Sequence, residues 1–586
     1  MSDRPTPFQP NTRVIRRRRR KFLACDSCSK RKIQCDRATP RCDWCRHHDF
    51  PCVYTRNQTR LNQQEQRTAS VGSSPGSCPH FDTRRSPAES ASEVNNNPAN
   101  TTNAKLHSPG LALRNICVFN GLPFFSSGGR EWIKALVGEE VDLNQYNPPK
   151  QVSWLRPQAR ATTIPLPDEA FLRQGLEAYK SCVFFHIFPF INPLLFEETM
   201  RVTYQEENTP DCSNADAKAC VFAFVAAAPE FGKFLPNEVV VKTDDYARAA
   251  YDLVPTLLMD SGTLDGLQAV LLLVLHSQSA LGDMLSVELL ISTATRFVFH
   301  LGGHIDTERS GDVDSRPLTL RLHLRNLFWI CYMFNQEYSM RTGVPPNFDN
   351  ALCDLTMPKT SKEGADEATS KVCSPLFIPF IELAKIESQI YRRLYSVPAQ
   401  NQTDTELLQT IRDLDEVLED WKLSLPMHNR PSLTHRPKNV EDPPSSILQL
   451  KYHYCMAMIH QASGRCISWT QNTRGLGSSL AISMEASRSL LRIFACSEHA
   501  LHRWNLLFCL PYFTAAMVHL FCDILLHPLD ESCHDHLKLL DMVRDRMVTV
   551  LWPQAPPSFQ MQVQLVKDLS LEIQRLARKA MQRAAE

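Results

Sequence analysis

The chain has 586 residues, 43% of them hydrophobic, and a formal net charge of +1 at pH 7. This length exceeds the roughly 250 to 300 residues at which one hydrophobic core stops growing, so it excludes a single-core protein. Residues 1–60 carry sixteen Lys and Arg against five Asp and Glu, a net +11 that leaves −10 for the rest. A basic head before an acidic body favours a polyanionic partner for the head. The polar, arginine-rich start excludes a secretory signal peptide.

The first predicted element is a polar arm at residues 1–24 that contains a run of basic side chains. The run consists of Arg16, Arg17, Arg18, Arg19, Arg20 and Lys21. Such a run is typical of a nuclear localisation signal, and a second role is that of an arm that follows DNA phosphates or the minor groove. A disordered tail with neither role is the alternative.

Six cysteines follow at residues 25–52 with the spacing C-x2-C-x6-C-x6-C-x2-C-x6-C. They are Cys25, Cys28, Cys35, Cys42, Cys45 and Cys52. In an intracellular protein, closely spaced cysteines indicate metal ligands rather than disulfides. Because structural zinc takes four ligands, six thiolates satisfy two Zn²⁺ ions only if two of them bridge both ions. The alternatives are one zinc with four cysteines, or a site in which His47 or His48 replaces a cysteine.

This segment resembles the fungal zinc binuclear cluster, or Zn2Cys6, family of transcription factors. The resemblance rests on the six cysteines, the basic run between the second and third, Pro40 before the fourth, and Tyr54 after the last. Together with the repeat, it implies the ligand sets of the two ions. One ion would be held by Cys25, Cys28, Cys35 and Cys42, and the other by Cys42, Cys45, Cys52 and Cys25.

The resemblance also implies that the helix of the first repeat enters the major groove of double-stranded DNA over a CGG-type triplet. Lys30, Arg31 and Lys32 lie on that helix, with Lys32 the first choice for contact with base edges and Arg31 the second. Arg41 and Arg46 are interpreted as phosphate contacts, with plain solvated surface as the alternative for each.

A disordered linker is predicted at residues 53–110, because the chain from 58 to 108 is rich in Ser, Asn, Gln, Pro and Thr. Leu61 is followed by no further leucine before Leu106. A coiled coil directly after the cluster is therefore not expected, and the oligomeric state stays open.

The remaining chain, residues 111–586, is predicted to form an all-helical body. Thr403 and Glu406 have the spacing of a capping box, and apolar residues continue from Leu407 at the period of one helix face. Further helices are predicted at 169–185, 264–275, 286–301, 318–338, 375–395, 446–459, 480–496 and 563–580. The most membrane-like window, 506–526, contains Pro511 and Asp523, which indicates a buried helix hairpin rather than a membrane span.

Several fragments of the body resemble the regulatory domain, or middle homology region, that accompanies this zinc cluster in fungal regulators. They are Tyr179 with residues 186–189, residues 301–304, residues 321–332 and residues 339–345. One departure is Asn335-Gln336, where the family usually has Asp-Arg. The departure puts the local salt-bridge pattern in doubt, not the domain.

The body contains no phosphate-binding glycine loop, nucleophile elbow or HExxH motif, and the fourteen cysteines outside the zinc cluster lack motif spacing. Cys533-His-Asp-His536 is more typical of a structural loop than of a metal site. The predicted fold is mainly α, with a small Zn2Cys6 domain, a disordered linker and a large helical regulatory domain.

The predicted function is that of a nuclear, non-enzymatic transcription factor that acts on RNA polymerase II promoters with the transcription machinery or coregulators. The resemblance favours activation over repression. Residues 128–134 and the Cys42–His48 stretch are similar to regulators of fungal specialised-metabolite gene clusters. The alternative is a helical effector-binding protein or enzyme with an accessory zinc module that binds protein or RNA.

Overall fold

A computed structural model describes most of the chain from residue 24 onward. The described residues are 24–31, 33, 35–36, 38, 41–48, 50–53, 127–142, 164–182, 185, 187–205, 214–228, 243–259, 262–278, 284–306, 316–358, 376–431, 433, 443–466, 478–496, 503–550 and 557–586. The predicted basic arm and linker lie outside these residues, apart from Ala24 and Val53 at their borders with the cysteine segment. Two compact units are present, one within residues 1–90 and 475–478 and one within 91–474 and 479–586.

Helices account for the regular structure of both units, and the described residues contain no β-strand. The predicted fold class is therefore confirmed. The first unit contains α1 (Asp26–Lys30) and α2 (Asp43–His47). The second contains α3 (Ser127–Val137), α4 (Glu169–Lys180), α5 (Pro193–Gln205), α6 (Ala215–Ala227), α7 (Thr243–Leu257), α8 (Leu264–His276), α9 (Met284–His300), α10 (Leu318–Thr342), α11 (Phe377–Ile390), α12 (Asp404–Ser424), α13 (Pro443–Gln461), α14 (Ser478–Cys496), α15 (Arg503–Leu526), α16 (Ser532–Val550) and α17 (Pro557–Ala585).

The body is built around α10, which packs on α8, α9 and α11. Every residue from Leu327 to Tyr332 is fully buried, so the middle of α10 is covered by neighbours on all sides. The helix ends at Gly343, whose φ of 73° lies in the left-handed region that favours glycine, and whose N–H bonds the Ser339 carbonyl. The family-like fragments at 321–332 and 339–345 thus form one central helix and its cap.

The capping box predicted at the start of α12 is present. Thr403 Oγ1 accepts a hydrogen bond from the N–H of Glu406, and Glu406 Oε2 accepts one from the N–H of Thr403 at 2.9 Å. Leu407, Ile411, Leu414, Leu418 and Trp421 are all buried along one face of this helix. The amphipathic pattern read from the sequence therefore defines the packing face of α12.

The apolar window at 506–526 forms α15, a single helix that packs on α13, α16 and α17. Its segment Phe508–Leu526 is long and apolar enough to span a membrane, but 83% of that window is buried inside the protein. Asp523 contacts His527 at 3.2 Å, and Ser487 contacts His519 at 2.8 Å. This is the environment of a core helix. The hairpin predicted within 506–526 is wrong, since this window is one continuous helix and the chain turns only after it, at residues 527–531.

The segment at the start of the second unit is joined to α17 by apolar and ionic contacts. Trp132 and Ile133 of α3 are buried. Glu139 forms salt bridges of 2.5 Å with Arg575 and 3.4 Å with Lys579. These partners are 436 residues apart in sequence for the Glu139–Arg575 pair.

A candidate two-zinc centre and nucleic-acid interface

The two halves of the cysteine segment have the same backbone design, seventeen residues apart. Cys25 and Cys42 are the N-cap residues of α1 and α2, with extended backbones at ψ of 159° and 156°. In each half the cap carbonyl accepts the N–H four residues on, at 2.9 Å for both Ser29 and Arg46. A one-turn helix after each cap therefore places the next cysteine, Cys28 or Cys45, beside the first.

The six sulfurs form two groups of four that share two members. The ligand atoms within each group all lie within 4.8 Å of one another. One group is Cys25, Cys28, Cys35 and Cys42, and the other is Cys25, Cys42, Cys45 and Cys52. Neither group includes His47 or His48.

The sulfur spacing fits tetrahedral zinc. With a Zn–S bond of about 2.3 Å, the sulfurs of a tetrahedral site lie about 3.8 Å apart. Cys25 Sγ lies 3.6 Å from the Sγ atoms of both Cys42 and Cys45, and Cys28 Sγ lies 3.5 Å from Cys42 Sγ. The chemistry of this donor set, six thiols and no carboxylate, suits zinc as well.

Burial acts against thiolate formation by the cysteines themselves. It raises the pKa of Cys45 to about 11 and raises the pKa values of Cys28 and Cys42 further. Two divalent cations supply the charge that lets such thiols deprotonate. Since this small unit has almost no other apolar core, its fold depends on the metal.

Backbone donors and side chains around the sulfurs complete the unit. The N–H of Cys42 bonds Cys52 Sγ at 3.2 Å, and that of Cys28 bonds Cys25 Sγ at 3.4 Å. The N–H of Asp26 donates a hydrogen bond to the Val53 carbonyl at 2.8 Å, so the end of the cysteine segment contacts the start of α1. Such bonds fix the ligands in place before any DNA is bound.

The basic residues proposed for DNA contact fall into two structural classes. Lys30 and Arg31 are exposed at the end of α1. Arg41 donates from Nη2 to the carbonyls of Phe50, at 2.9 Å, and Cys45, at 3.4 Å. Arg46 pairs with Asp43 at 3.5 Å. Arg41 and Arg46 therefore have internal contacts that sequence reasoning did not foresee, while Lys32 and the run from Arg16 to Lys21 lie outside the described residues.

A row of planar groups crosses the unit and was missed at the sequence level. The rings of Trp44 and His48 have centroids 4.0 Å apart, and those of His48 and Phe50 are 6.0 Å apart and nearly parallel. Arg31 Cζ lies 3.7 Å from the centre of the Phe50 ring. The signal available in the sequence was that Trp44, His48 and Phe50 fall within seven consecutive positions.

In the body, Asn335, Cys533 and His536 each form a hydrogen bond with a neighbouring element. Asn335 Nδ2 donates to Thr295 Oγ1 at 3.2 Å, so its side chain joins α10 to α9 by a neutral hydrogen bond. Ionic contact in this region is made by the next acidic residue, Glu337. Cys533 Sγ donates to the His527 carbonyl at 3.1 Å, and His536 Nε2 accepts from Arg488 Nε at 2.9 Å. His536 Nδ1 also lies 3.5 Å from Asp523 Oδ2, so the Cys533–His536 stretch contacts both α14 and α15 from α16.

Comparison with known proteins gives two family matches. Residues 23–61 match the fungal Zn(2)-Cys(6) binuclear cluster domain, and residues 231–423 match the fungal specific transcription factor domain. The first match identifies the cysteine segment as a domain that binds two zinc ions. The second covers α7 to α11 and most of α12, the part of the body that is built around α10.

Similar proteins include two named ABC-transporter-regulating transcription factors. That of Aspergillus oryzae is 24% identical over 91% of this chain and 71% of its own length. That of Aspergillus fumigatus is 24% identical over 97% and 74%, respectively. An uncharacterized transcriptional regulatory protein of Schizosaccharomyces pombe is 22% identical over 90% of this chain and 73% of its own. All three are named as regulators of transcription. By its two matched domains, this chain is a DNA-binding transcription factor with a fungal Zn(2)-Cys(6) binuclear cluster domain and a fungal specific transcription factor domain.

Proposed function

We propose that the protein recognises CGG-containing promoter DNA through its two-zinc unit and activates transcription by RNA polymerase II. The observation that carries the proposal is the pair of interlocked four-sulfur groups beside the exposed basic end of α1. Cys25 and Cys42 would be ligands of both ions, since they are the members that both groups share. The other four cysteines would each hold one ion.

In this mechanism, α1 presents its end to the major groove. Arg31 and Lys32 donate to guanine O6 and N7, while nearby main-chain carbonyls accept from cytosine N4. Lys30, Arg41 and Arg46 contact phosphates and set the orientation, with no choice of sequence. For Arg41 and Arg46 this role adds to the internal contacts that hold their side chains in place.

The proposed domain boundaries are those that the sequence indicates. Residues 1–24 form the basic arm, whose run at Arg16–Lys21 directs the protein to the nucleus. Residues 25–52 form the DNA-binding domain, 53–110 the linker and 111–586 the regulatory domain. The regulatory domain contacts the transcription machinery or coregulators. Since no leucine heptad follows the cluster in the sequence, the protein binds single sites or pairs through this domain.

Two classes of target gene are supported by different observations. The names of the Aspergillus relatives, which match over nine-tenths of this chain, support genes for ABC transporters. The similarity at 128–134 supports a specialised-metabolite gene cluster. Because the relatives' matches cover far more of the chain, transporter genes are the first candidates to examine, by mapping where the protein binds in the genome and which transcripts fall when it is deleted.

The test of the proposal uses the full chain, purified with zinc. The zinc content is measured, and the protein then selects from a randomised pool of double-stranded DNA at two salt concentrations. Two zinc ions per chain and enrichment of a CGG-type triplet support the proposal. One zinc ion, or binding without enrichment that disappears at the higher salt concentration, contradicts it, because phosphate contacts alone have that behaviour.

A further inference from the structure

Arg31 is held by a ring that belongs to the other half of the two-zinc unit. Its Cζ atom lies 3.7 Å from the centre of the Phe50 ring, which is van der Waals contact between two flat groups. Arg31 is the C-cap of α1, whereas Phe50 follows α2. The side chain at the end of the proposed recognition helix is therefore positioned by the second repeat.

Phe50 is itself fixed in place. Its N–H bonds the Cys45 carbonyl at 3.0 Å, and its carbonyl accepts Arg41 Nη2 at 2.9 Å. On its ring side, His48 lies nearly parallel to it, with an interplanar angle of 13°, and Trp44 packs on His48. The ring thus has little freedom to follow Arg31, and it forms a fixed platform anchored beside the zinc ligand Cys45.

A guanidinium that lies flat on a ring is covered on one face but keeps its N–H edge free. That edge carries donors in a planar fork, which matches the O6 and N7 acceptors of guanine. The rest of Arg31 is exposed, and no described acidic residue forms a salt bridge with it. The ring restricts a long flexible side chain to a plane before DNA arrives, and such preorganisation reduces the ordering cost of binding.

We propose that Phe50 is a positioning residue for sequence recognition: its ring holds the Arg31 guanidinium in the plane from which it reads a guanine. The proposal rests on the DNA-binding function proposed above. It assigns to the second zinc-binding repeat a part in base selection, although Phe50 itself contacts no base.

A double-mutant cycle on the full, zinc-loaded chain tests this role. The four proteins are the wild type, Phe50→Leu, Arg31→Ala and the double variant, and each binds the selected site and a set of single-base-pair substitutions at fixed salt. Phe50→Leu is expected to lower discrimination at one base pair about two- to fivefold, the range of an exposed cation–π contact. In the Arg31→Ala background the same change should cost nothing further, because the two residues act together.

A purely structural role predicts a different result. If Phe50→Leu lowers affinity by the same factor with and without Arg31, or if it lowers zinc content below two ions per chain, the proposal is overturned. Phe50→Tyr keeps a flat ring and should retain full discrimination. Val53→Ala, a change at a half-exposed residue of the same unit, is the control for general loosening and should leave discrimination unchanged.

A variant that leaves the ring untouched gives an independent test. Arg31→Lys keeps the positive charge but replaces the planar fork by a compact ammonium. Discrimination at the same base pair should fall while the salt dependence of binding stays the same. Wild-type discrimination in Arg31→Lys would overturn the proposal. Failure of the wild type to select any sequence would instead contradict the DNA-binding function itself, before any variant is compared.

Discussion

Lys451 on α13 lies 3.2 Å from Glu337 on α10, and both side chains are 4% exposed. The same ammonium lies 2.9 Å from Glu387 on α11, so one cation joins the carboxylates of two other helices. Arg341 and Gln278 also contact Glu337, at 3.5 and 3.0 Å. The centre of the regulatory body therefore contains a charged network where an apolar core would be expected.

Removing Lys451 should destabilise the body strongly. Lys451→Met leaves Glu337 and Glu387 buried without their shared cation, and breaking a buried ion pair in this way costs about 3 to 5 kcal/mol of unfolding free energy. Urea unfolding followed by circular dichroism measures the loss. Lys538→Met is the matched control, since Lys538 pairs with Asp535 at an exposed site, and it should change stability by less than about 1 kcal/mol. Equal effects of the two changes would show that the network contributes little.

Glu387 should make the body less stable as the pH rises from about 4.5 to 7. Burial raises the pKa of Glu387 to about 7, whereas Glu337, which has Lys451, Arg341 and further donors, keeps a lowered pKa. A group whose pKa is raised by folding stabilises the protein below its unfolded pKa, and that contribution is lost as the pH passes its folded pKa.

The Glu387→Gln variant isolates this contribution. The difference in unfolding free energy between wild type and variant should shift against the wild type by up to about 3 kcal/mol across that window, at 1.36 kcal/mol per pKa unit. Urea titrations at pH 4.5, 5.5, 6.5 and 7.5 provide the comparison. A constant difference over all four pH values would mean that Glu387 has the same pKa in the folded and unfolded chain.

Loss of a cysteine from the two-zinc unit should abolish DNA binding by unfolding the unit. Cys28→Ala and Cys45→Ala each remove one sulfur from one four-sulfur group. Zinc content and affinity for the selected DNA should fall together. Cys353→Ala, at a half-buried cysteine of the body, should retain both. Specific DNA binding by either ligand variant would refute the binuclear site.

Lys30 and Arg41 should respond differently to charge removal. Lys30 is exposed with no partner among the described residues, so Lys30→Gln should reduce the slope of log K against log salt concentration by about 1, the value for one lost phosphate contact. Arg41 donates hydrogen bonds to two carbonyls of the two-zinc unit. Arg41→Gln should therefore lower the melting temperature of this unit in addition to the salt slope. Identical melting temperatures for Arg41→Gln and wild type would reduce Arg41 to a phosphate contact alone.

The capping box of α12 should contribute measurably to stability. Thr403→Ala removes the hydroxyl that accepts the Glu406 N–H and should cost about 1 kcal/mol of unfolding free energy. Thr405→Ala, two residues on in the exposed first turn, is the control and should cost less than half as much. A similar cost for both changes would point to helix propensity rather than capping.

The sequence predicted the two-zinc unit well because its chemistry is local. The spacing of the cysteines brings their sulfurs together through two short helical turns, and no distant contact is needed. The platform under Arg31 was missed because it depends on how the two repeats face one another. The positions of Arg31 and Phe50 in the sequence do not predict that Arg31 Cζ lies 3.7 Å from the centre of the Phe50 ring.

Among the helices, α12 was predicted and α6 was missed, and the physical reason is different for each. Helix α12 has polar and apolar faces, and its face and cap were both predicted. Helix α6 is buried on nearly every side, so it has no apolar period to detect. Predicted helix 169–185 was too long, because α4 ends at Lys180 where the N–H groups of Ser181 and Cys182 turn back to Ala178 and Tyr179.

The salt bridge between Glu139 and Arg575 joins two segments of the body that are synthesised far apart in time. Helix α3 emerges from the ribosome more than 400 residues before α17, the helix that covers it. Until α17 has been made, Trp132 and Ile133 on α3 lack this partner helix. At about 5 to 20 residues per second, translation of the intervening chain takes tens of seconds. A premature stop codon before α17 would leave α3 without this partner helix, so truncated products should be bound by chaperones and degraded rather than accumulate as regulators that lack α17.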